Sequence, residues 1–247
     1  MKTVYKRPSI LLDNHFHYCP GCGHGIINRL LMEVIEEMDV QDKAICVAPA
    51  GCGMLLYNYF AIDVLESAHG RGAAVATGVK RVRPENLVFS YQGDGDLAAI
   101  GTAEGFHAAN RGENITIIFV NNVVYGMTGG QMAPTSLLEQ VTTTTPAGRD
   151  AGIAGHPVRV CEVFAHLDGS SYLERVSVHK PAAVAKAKKA IHKAFQRQIE
   201  GCGFSLVEIL SPCPTSWHLG TLESCQWIED VLSEHFPLGV VKEVPCS

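Results

Sequence analysis

No stretch of this sequence holds the roughly 18 consecutive apolar residues that a membrane-crossing helix needs. The one apolar patch before Asp13, Ile10-Leu11-Leu12, is too short for a secretory signal core, so a soluble, cytoplasmic chain with no membrane partner is expected. Basic residues are not in excess either. Against 25 Asp plus Glu stand 20 Lys plus Arg, a formal charge of −5, and no nucleic-acid partner is expected. The one lysine-rich stretch, Lys186, Lys188, Lys189 and Lys193, falls at helical spacing and reads as a solvated face. Repeats and low-complexity tracts are missing. With 47% hydrophobic and 18% charged residues over 247 positions, a disordered chain, a collagen-like repeat and a coiled coil are excluded.

What is present alternates between two hydrophobic periods. Residues 25–38 set Ile26, Ile27, Leu30, Leu31, Val34, Ile35 and Met38 at helical spacing, with Arg29, Glu33, Glu36 and Glu37 on the wet face. Residues 181–199 do the same behind a first-turn proline, with Val184, Ala187, Ile191, Phe195 and Ile199 inward. Apolar runs at 44–48, 87–90, 114–120, 176–178 and 204–210 have strand length, and the Ala- and Gly-rich 97–110 suits a helix packed closely on a sheet. The alternation predicts an α/β fold, a parallel sheet with helices on both faces. No linker is visible. Residues 1–247 read as a single domain with an N-terminal cysteine-bearing segment and a C-terminal tail of about 215–247.

Two constellations carry chemistry. Tyr91-Gln92-Gly93-Asp94-Gly95-Asp96 closes one strand and opens a helix, and Asn121-Asn122 closes the next strand. In a parallel sheet both reach the same carboxyl edge, where ligands bind. Gly93 and Gly95 allow close approach of a phosphate, and the following helix N-terminus favours its charge. Asp94 and Asn122 offer the hard oxygens that Mg²⁺ takes alongside substrate phosphates. A lone Gly-Asp-Gly is usually a turn; the Asn pair 27 and 28 residues after Asp94 makes it a motif.

The second constellation lies among nine cysteines, an odd count that does not suggest a disulfide framework. Cys19-Pro20-Gly21-Cys22 puts two thiols on one tight turn. Cys52, in Ala50-Gly51-Cys52-Gly53, and Cys213, in Ser211-Pro212-Cys213-Pro214, each follow a strand. Four such thiols bind Zn²⁺, bind an iron–sulfur cluster or stay unligated, and spacing alone does not choose. The order Cys22-Gly23-His24 excludes a c-type haem attachment. Cys46, Cys161, Cys202, Cys225 and Cys246 read as structural or surface thiols. His15 and His17 read as flanking-loop residues, His24 as lying near the first helix start, and His107 as a hydrogen-bonded packing residue.

The Gly-Asp-Gly and Asn-Asn pair resembles the diphosphate motif of thiamine diphosphate enzymes. The longer text GDGDLAAIGTAEGFHAANRGENITIIFVNNVVYGMTGGQMAPTS, with His69-Gly70-Arg71 and HYCPGCGHG, resembles the β subunit of 2-oxoacid:ferredoxin oxidoreductases, from about residue 15 to 215. This implies thiamine diphosphate held through Mg²⁺ by Asp94, the Asn122 side chain and the Val124 carbonyl. Gly93, Gly95 and Asp96 are implied on the diphosphate, Ala50, Gly51, Cys52 and Gly53 beside the cofactor, and Gly126 and Met127 along the thiazolium. His69, near the cofactor or substrate carboxylate, joins Met127 as the catalytic candidates. For the thiols, the resemblance implies a 4Fe–4S cluster on Cys19, Cys22, Cys52 and Cys213. Such a cluster removes electrons singly, which redox-inert zinc cannot do. Thr142–Thr145 matches a family segment near the active-site loop.

The implied activity is oxidative decarboxylation of a 2-oxoacid with coenzyme A to acyl-CoA and CO₂, with electrons passed to ferredoxin. Thiamine enzymes draw an activating glutamate from a pyrimidine-binding domain, and this chain's motifs are all of the diphosphate kind. A pyrimidine-binding α subunit supplying that glutamate is therefore implied, with a small ferredoxin-like subunit. Gly129 stands where some relatives carry a carboxylate-pairing lysine, which disfavours 2-oxoglutarate. The wording APAGCGMLLYN and YGMTGGQMAPTS looks most like relatives handling branched-chain 2-oxoacids such as 2-oxoisovalerate. Two rivals remain: a non-oxidative thiamine decarboxylase or carboligase, which needs no cluster, and a zinc- or cluster-binding scaffold without catalysis.

Overall fold

Residues 6–246 are described by a computed structural model. In chain order, α1 (His24–Glu37), β1 (Ala44–Pro49), β2 (Asp63–Ser67), α2 (Gly72–Val82), β3 (Leu87–Gly93), α3 (Thr102–Asn110) and β4 (Thr116–Asn121) come first. A hairpin of β5 (Val124–Tyr125) and β6 (Gln131–Met132) leads on to α4 (Ala151–Ala154), α5 (Val160–Ala165), β7 (Ser170–Ser177) and α6 (Pro181–Ile199). β8 (Phe204–Leu210), α7 (Pro214–Trp217), α8 (Thr221–Trp227) and β9 (Gly239–Glu243) follow.

Among the described residues, seven strands form one sheet in the order β2-β1-β3-β4-β8-β7-β9. β1, β4 and β8 are buried along their whole length and β3 nearly so, which is why they read as continuous apolar runs. Helices α1 and α6 pack on one face, and α2, α3 and α5 on the other. After β1 the chain adds β2 on the outside, then crosses to lay β3 on β1's other edge. That reversal opens a crevice at the carboxyl ends of β1 and β3.

The sheet is mostly parallel rather than wholly so: β9 runs antiparallel on β7. The C-terminal stretch is thus packed, and β9 covers an edge that would otherwise present unpaired backbone groups. The half-exposed β9 and the polar edge strand β2 have no continuous apolar run for periodicity to find. The expected 97–110 helix is split. A π-turn, Asp96–Ile100, precedes α3, with the break at Gly101, where a Cβ would lie 2.6 Å from the Asp96 carbonyl oxygen and 2.7 Å from that of Gly70.

Several side chains depart from expectation. Glu33 is buried, bonded to Arg29 and to Lys188 of α6, because α6 packs across what looked like a wet face. Ile199, at the last turn of α6, is exposed, and so is His107, which lies edge-on to Phe106. Cys46 and Cys161 are core residues, but Cys202 and Cys246 form a disulfide, since β9 returns the chain to the turn before β8. No helix among the described residues is long and apolar enough to cross a membrane.

Arg175 and Glu208 face each other on β7 and β8, both fully buried, 2.9 Å apart, and Arg175 also grips Glu162 at 2.5 and 2.8 Å. The other Glu208 oxygen accepts from Asn121 Nδ2 at 2.8 Å. Removing one partner of a buried pair leaves the other charge uncompensated. Arg175→Met is expected to lower the unfolding free energy by roughly 3–5 kcal/mol. Denaturant titration checks this, and a loss below about 1 kcal/mol would show that the pair is dispensable.

Candidate active site

β1, β3, β4 and β8 are adjacent and parallel, so their carboxyl ends form a row. The loops that follow carry Cys52, Asp94, Asn122 and Cys213 in turn. Two cavities, of about 220 and 210 Å³, lie at this edge and share His24, Cys52, Asn122, Gly126 and Met127 as a common wall.

The first cavity is floored by glycine. A Cβ on Gly93 or Gly51 would meet nothing within 4 Å, whereas one on Gly95 would lie 2.4 Å from the Tyr125 ring. Asp94 is buried and accepts from Gly95 N–H at 3.0 Å, Val124 N–H at 3.1 Å and the Thr135 hydroxyl at 3.2 Å. All three donors are neutral, and no basic side chain among the described residues pairs with it. Burial pushes its carboxyl up to about 7. A buried carboxylate held in this way calls for a cation.

The asparagine doublet divides. Asn121 turns into the sheet toward Glu208, while Asn122 lines both cavities. Between Asn122 and Val124, Val123 sits at φ 55°, a left-handed conformation that strains a β-branched residue. Asp96 is buried and takes the Gly70 N–H, Gln92 Nε2 and His69 Nδ1, the last at 2.8 Å. Ala50 O also lies 3.1 Å from His69 Nδ1. Both neighbours are acceptors, so Nδ1 carries the proton and Nε2 is the basic nitrogen of the neutral ring. Met127 is 53% exposed where the two cavities meet.

All four candidate thiols, Cys19, Cys22, Cys52 and Cys213, line the second cavity. The first pair is brought round by Gly21 at φ 78°, and Thr221 fills the place of its missing Cβ. Gly23 N–H reaches Pro212 O at 3.3 Å, tying that turn to the Cys213 loop. A Cβ on Gly126 would stand 3.5 Å from both Cys52 Sγ and Cys213 Sγ. Burial, reinforced by the neighbouring thiols, pushes Cys22 and Cys52 up to about 12 and raises Cys213 as well. Such thiols stay protonated unless a metal takes them.

An aromatic wall backs this cavity. His17 contacts the Tyr59 hydroxyl through Nδ1 at 2.7 Å and Cys52 O through Nε2 at 3.0 Å, so it seats a thiol-bearing loop rather than merely flanking one. His24 meets the Tyr91 hydroxyl at 2.6 Å, and burial lowers it to about 4. Thr142–Thr145 form a tight turn, and Thr143 N–H bonds to Gly130 O, bracing the β5–β6 hairpin. Sequence reasoning passed over Thr135, Tyr59 and Trp217. Thr135 lies inside the motif text, but the other two have no local signal.

The family model described as "Thiamine pyrophosphate enzyme, C-terminal TPP binding domain" matches residues 54–209. Ketoisovalerate oxidoreductase subunit VorA of Methanothermobacter marburgensis is 45% identical over 238 residues, 96% of this chain and 50% of that one. The 2-oxoglutarate synthase subunit KorB of Methanocaldococcus jannaschii is 36% identical over 200 residues, 80% of this chain and 69% of that one. Among solved structures, 2-oxoglutarate:ferredoxin oxidoreductase from Magnetococcus marinus, with 2-oxoglutarate, coenzyme A and succinyl-CoA bound, superposes with a TM-score of 0.81 at 25% identity. That match covers 99% of this chain and 87% of the other. The chain spans about half the length of the VorA subunits it matches.

Proposed function

The chain belongs to the thiamine diphosphate-binding β subunits of the 2-oxoacid:ferredoxin oxidoreductases, and from that premise we propose that it supports oxidative decarboxylation of a branched-chain 2-oxoacid to its acyl-CoA. The observation that carries this reading is the shared wall: a cation-seeking carboxylate and four converging thiols lie on either side of Gly126 and Met127. Thiamine diphosphate would supply the carbanion chemistry and a 4Fe–4S cluster one-electron transfer.

The residues present fit both groups. Asp94, Asn122 and the Val124 carbonyl would hold Mg²⁺, and the open backbone at Gly93 and Gly51 leaves room for a diphosphate. Cys19, Cys22, Cys52 and Cys213 would hold the cluster. Four thiols beside the cofactor cavity favour the oxidative reading over a non-oxidative decarboxylase, which has no use for an adjoining electron acceptor.

The chain's own residues prepare the site. Asp96 fixes the His69 ring through Nδ1, so Nε2 is the nitrogen free to take a proton and, carrying it, to donate to a substrate carboxylate. Among the described residues the first cavity has no Lys or Arg in its wall, so this chain offers a second substrate carboxylate no partner there. That favours a monocarboxylate with an apolar side chain, in line with the VorA relatives. Coenzyme A, a pyrimidine-binding subunit and a ferredoxin-like subunit complete the proposal. Met127, Val141 and Ile153, all more than half exposed, offer apolar surface for a partner.

The test is anaerobic purification of the complex, with iron and acid-labile sulfide counted beyond what the partners hold. Four of each per chain, and reduction of the visible chromophore by 2-oxoisovalerate with coenzyme A, are expected. Zinc in place of iron, or CO₂ release without iron, would overturn the reading.

A further inference from the structure

We propose that Trp217 is a positioning residue for the turn Asn121–Val124, setting how firmly that turn holds a divalent cation and its diphosphate. The proposal rests on the thiamine diphosphate reading and adds a residue outside the matched domain, which ends at 209.

The turn is strained and therefore has to be held. Val123, fully buried at φ 55°, occupies a conformation its branched side chain disfavours. Three side chains act on Val123 itself. Asn121 Oδ1 accepts its N–H at 3.1 Å, and Ser136 Oγ and Gln140 Nε2 donate to its carbonyl. The Val123 N–H held by Asn121 is one end of the peptide joining Asn122 to Val123, and Trp217 holds the other, its Nε1–H reaching Asn122 O at 2.9 Å. That carbonyl lies in the peptide plane joining Asn122 to Val123, and the tilt of the plane sets both ψ of Asn122 and φ of Val123. With the carbonyl released, the plane is held at its N–H end alone and can tilt, which eases Val123 and loosens the placement of the Asn122 side chain in the cavity.

Trp217 is itself firmly seated. Its N–H bonds to Cys213 O at 3.0 Å, closing the one-turn helix α7. Its ring meets Trp227 edge to face at 4.5 Å and packs on the apolar group of Val123, Leu210, Ile228, Leu232 and Phe236. The backbone of a cavity cysteine and that of the candidate cation-site asparagine are thus joined through one residue.

Trp217→Phe keeps an aromatic ring but removes the donor together with part of the ring volume, and Trp227→Phe, which loses the same volume from a ring with no bond to the turn, is the matching control. In the assembled complex with saturating thiamine diphosphate, calorimetry should show Mg²⁺ binding weakened about 3- to 10-fold in W217F, the worth of one net hydrogen bond. W227F should stay within about twofold of wild type, iron content should match wild type in both, and excess Mg²⁺ should restore occupancy in W217F. Equal Mg²⁺ affinity in W217F and wild type would overturn the proposal, whereas failure of the wild type to bind would overturn the thiamine reading instead. If W217F does not assemble, the unmutated chain labelled with 5-fluorotryptophan serves. On adding Mg²⁺ and thiamine diphosphate, the Trp217 fluorine resonance should shift and that of Trp227 should not; an unmoved Trp217 resonance would overturn the proposal.

Discussion

Asp94→Asn is expected to abolish cation-dependent thiamine diphosphate binding while leaving the unliganded chain at least as stable as wild type. The carboxylate is 3% exposed, with neutral donors on both oxygens and no cationic partner. Burying an uncompensated charge is unfavourable, so the native chain tolerates a locally destabilising group where a ligand can neutralise it. The amide removes that charge at nearly constant shape. It also turns one oxygen that received an N–H into a donor, which offsets part of the gain. Loss of an outer-shell partner weakens metal sites by about 10- to 100-fold, and loss of a ligand should exceed that range. Thermal melts separate the outcomes. Wild type should gain stability on adding Mg²⁺ with thiamine diphosphate, about 2.7 kcal/mol at a hundredfold excess over Kd, and the variant should gain none. An unliganded variant that melts well below wild type would show that Asp94 holds the fold together instead.

Cys52→Ser should remove the iron and with it oxidative turnover, because Cys52 lies in the wall between the cavities and its Sγ is near Cys213 Sγ at Gly126. Serine keeps the shape, but its hydroxyl is a hard, weakly acidic donor where a soft thiolate is required. Iron per chain in the assembled complex is the readout, with Cys225→Ser as the control, a free, half-buried thiol outside the four. Retention of full iron by Cys52→Ser would remove it from the ligand set. Loss of iron by Cys225→Ser would enlarge the set.

Much of this was legible along the chain. The central strands are covered on both faces, and such strands have to be apolar at every position, so 44–48, 114–120 and 204–210 announce themselves within a residue or two. The pairing of Gly-Asp-Gly with Asn-Asn is legible because Asp94 and Asn122 end neighbouring parallel strands, and one crossover fixes the interval between them. β2, β9 and α2 went unread. The two strands lie at sheet edges, where half the positions face water and no local pattern remains.

By itself, then, the sequence determined the sheet's core, the edge at which ligands gather and the residue types gathered there, since each depends on local periodicity and short-range spacing. Only the tertiary structure decided which member of the Asn121-Asn122 doublet enters the cavity and that Glu33 is buried beneath α6. It alone paired Cys202 with Cys246 and brought Trp217 to a carbonyl 95 residues away. These contacts join elements distant in the chain, and packing of the whole rather than any local preference sets which distant groups meet.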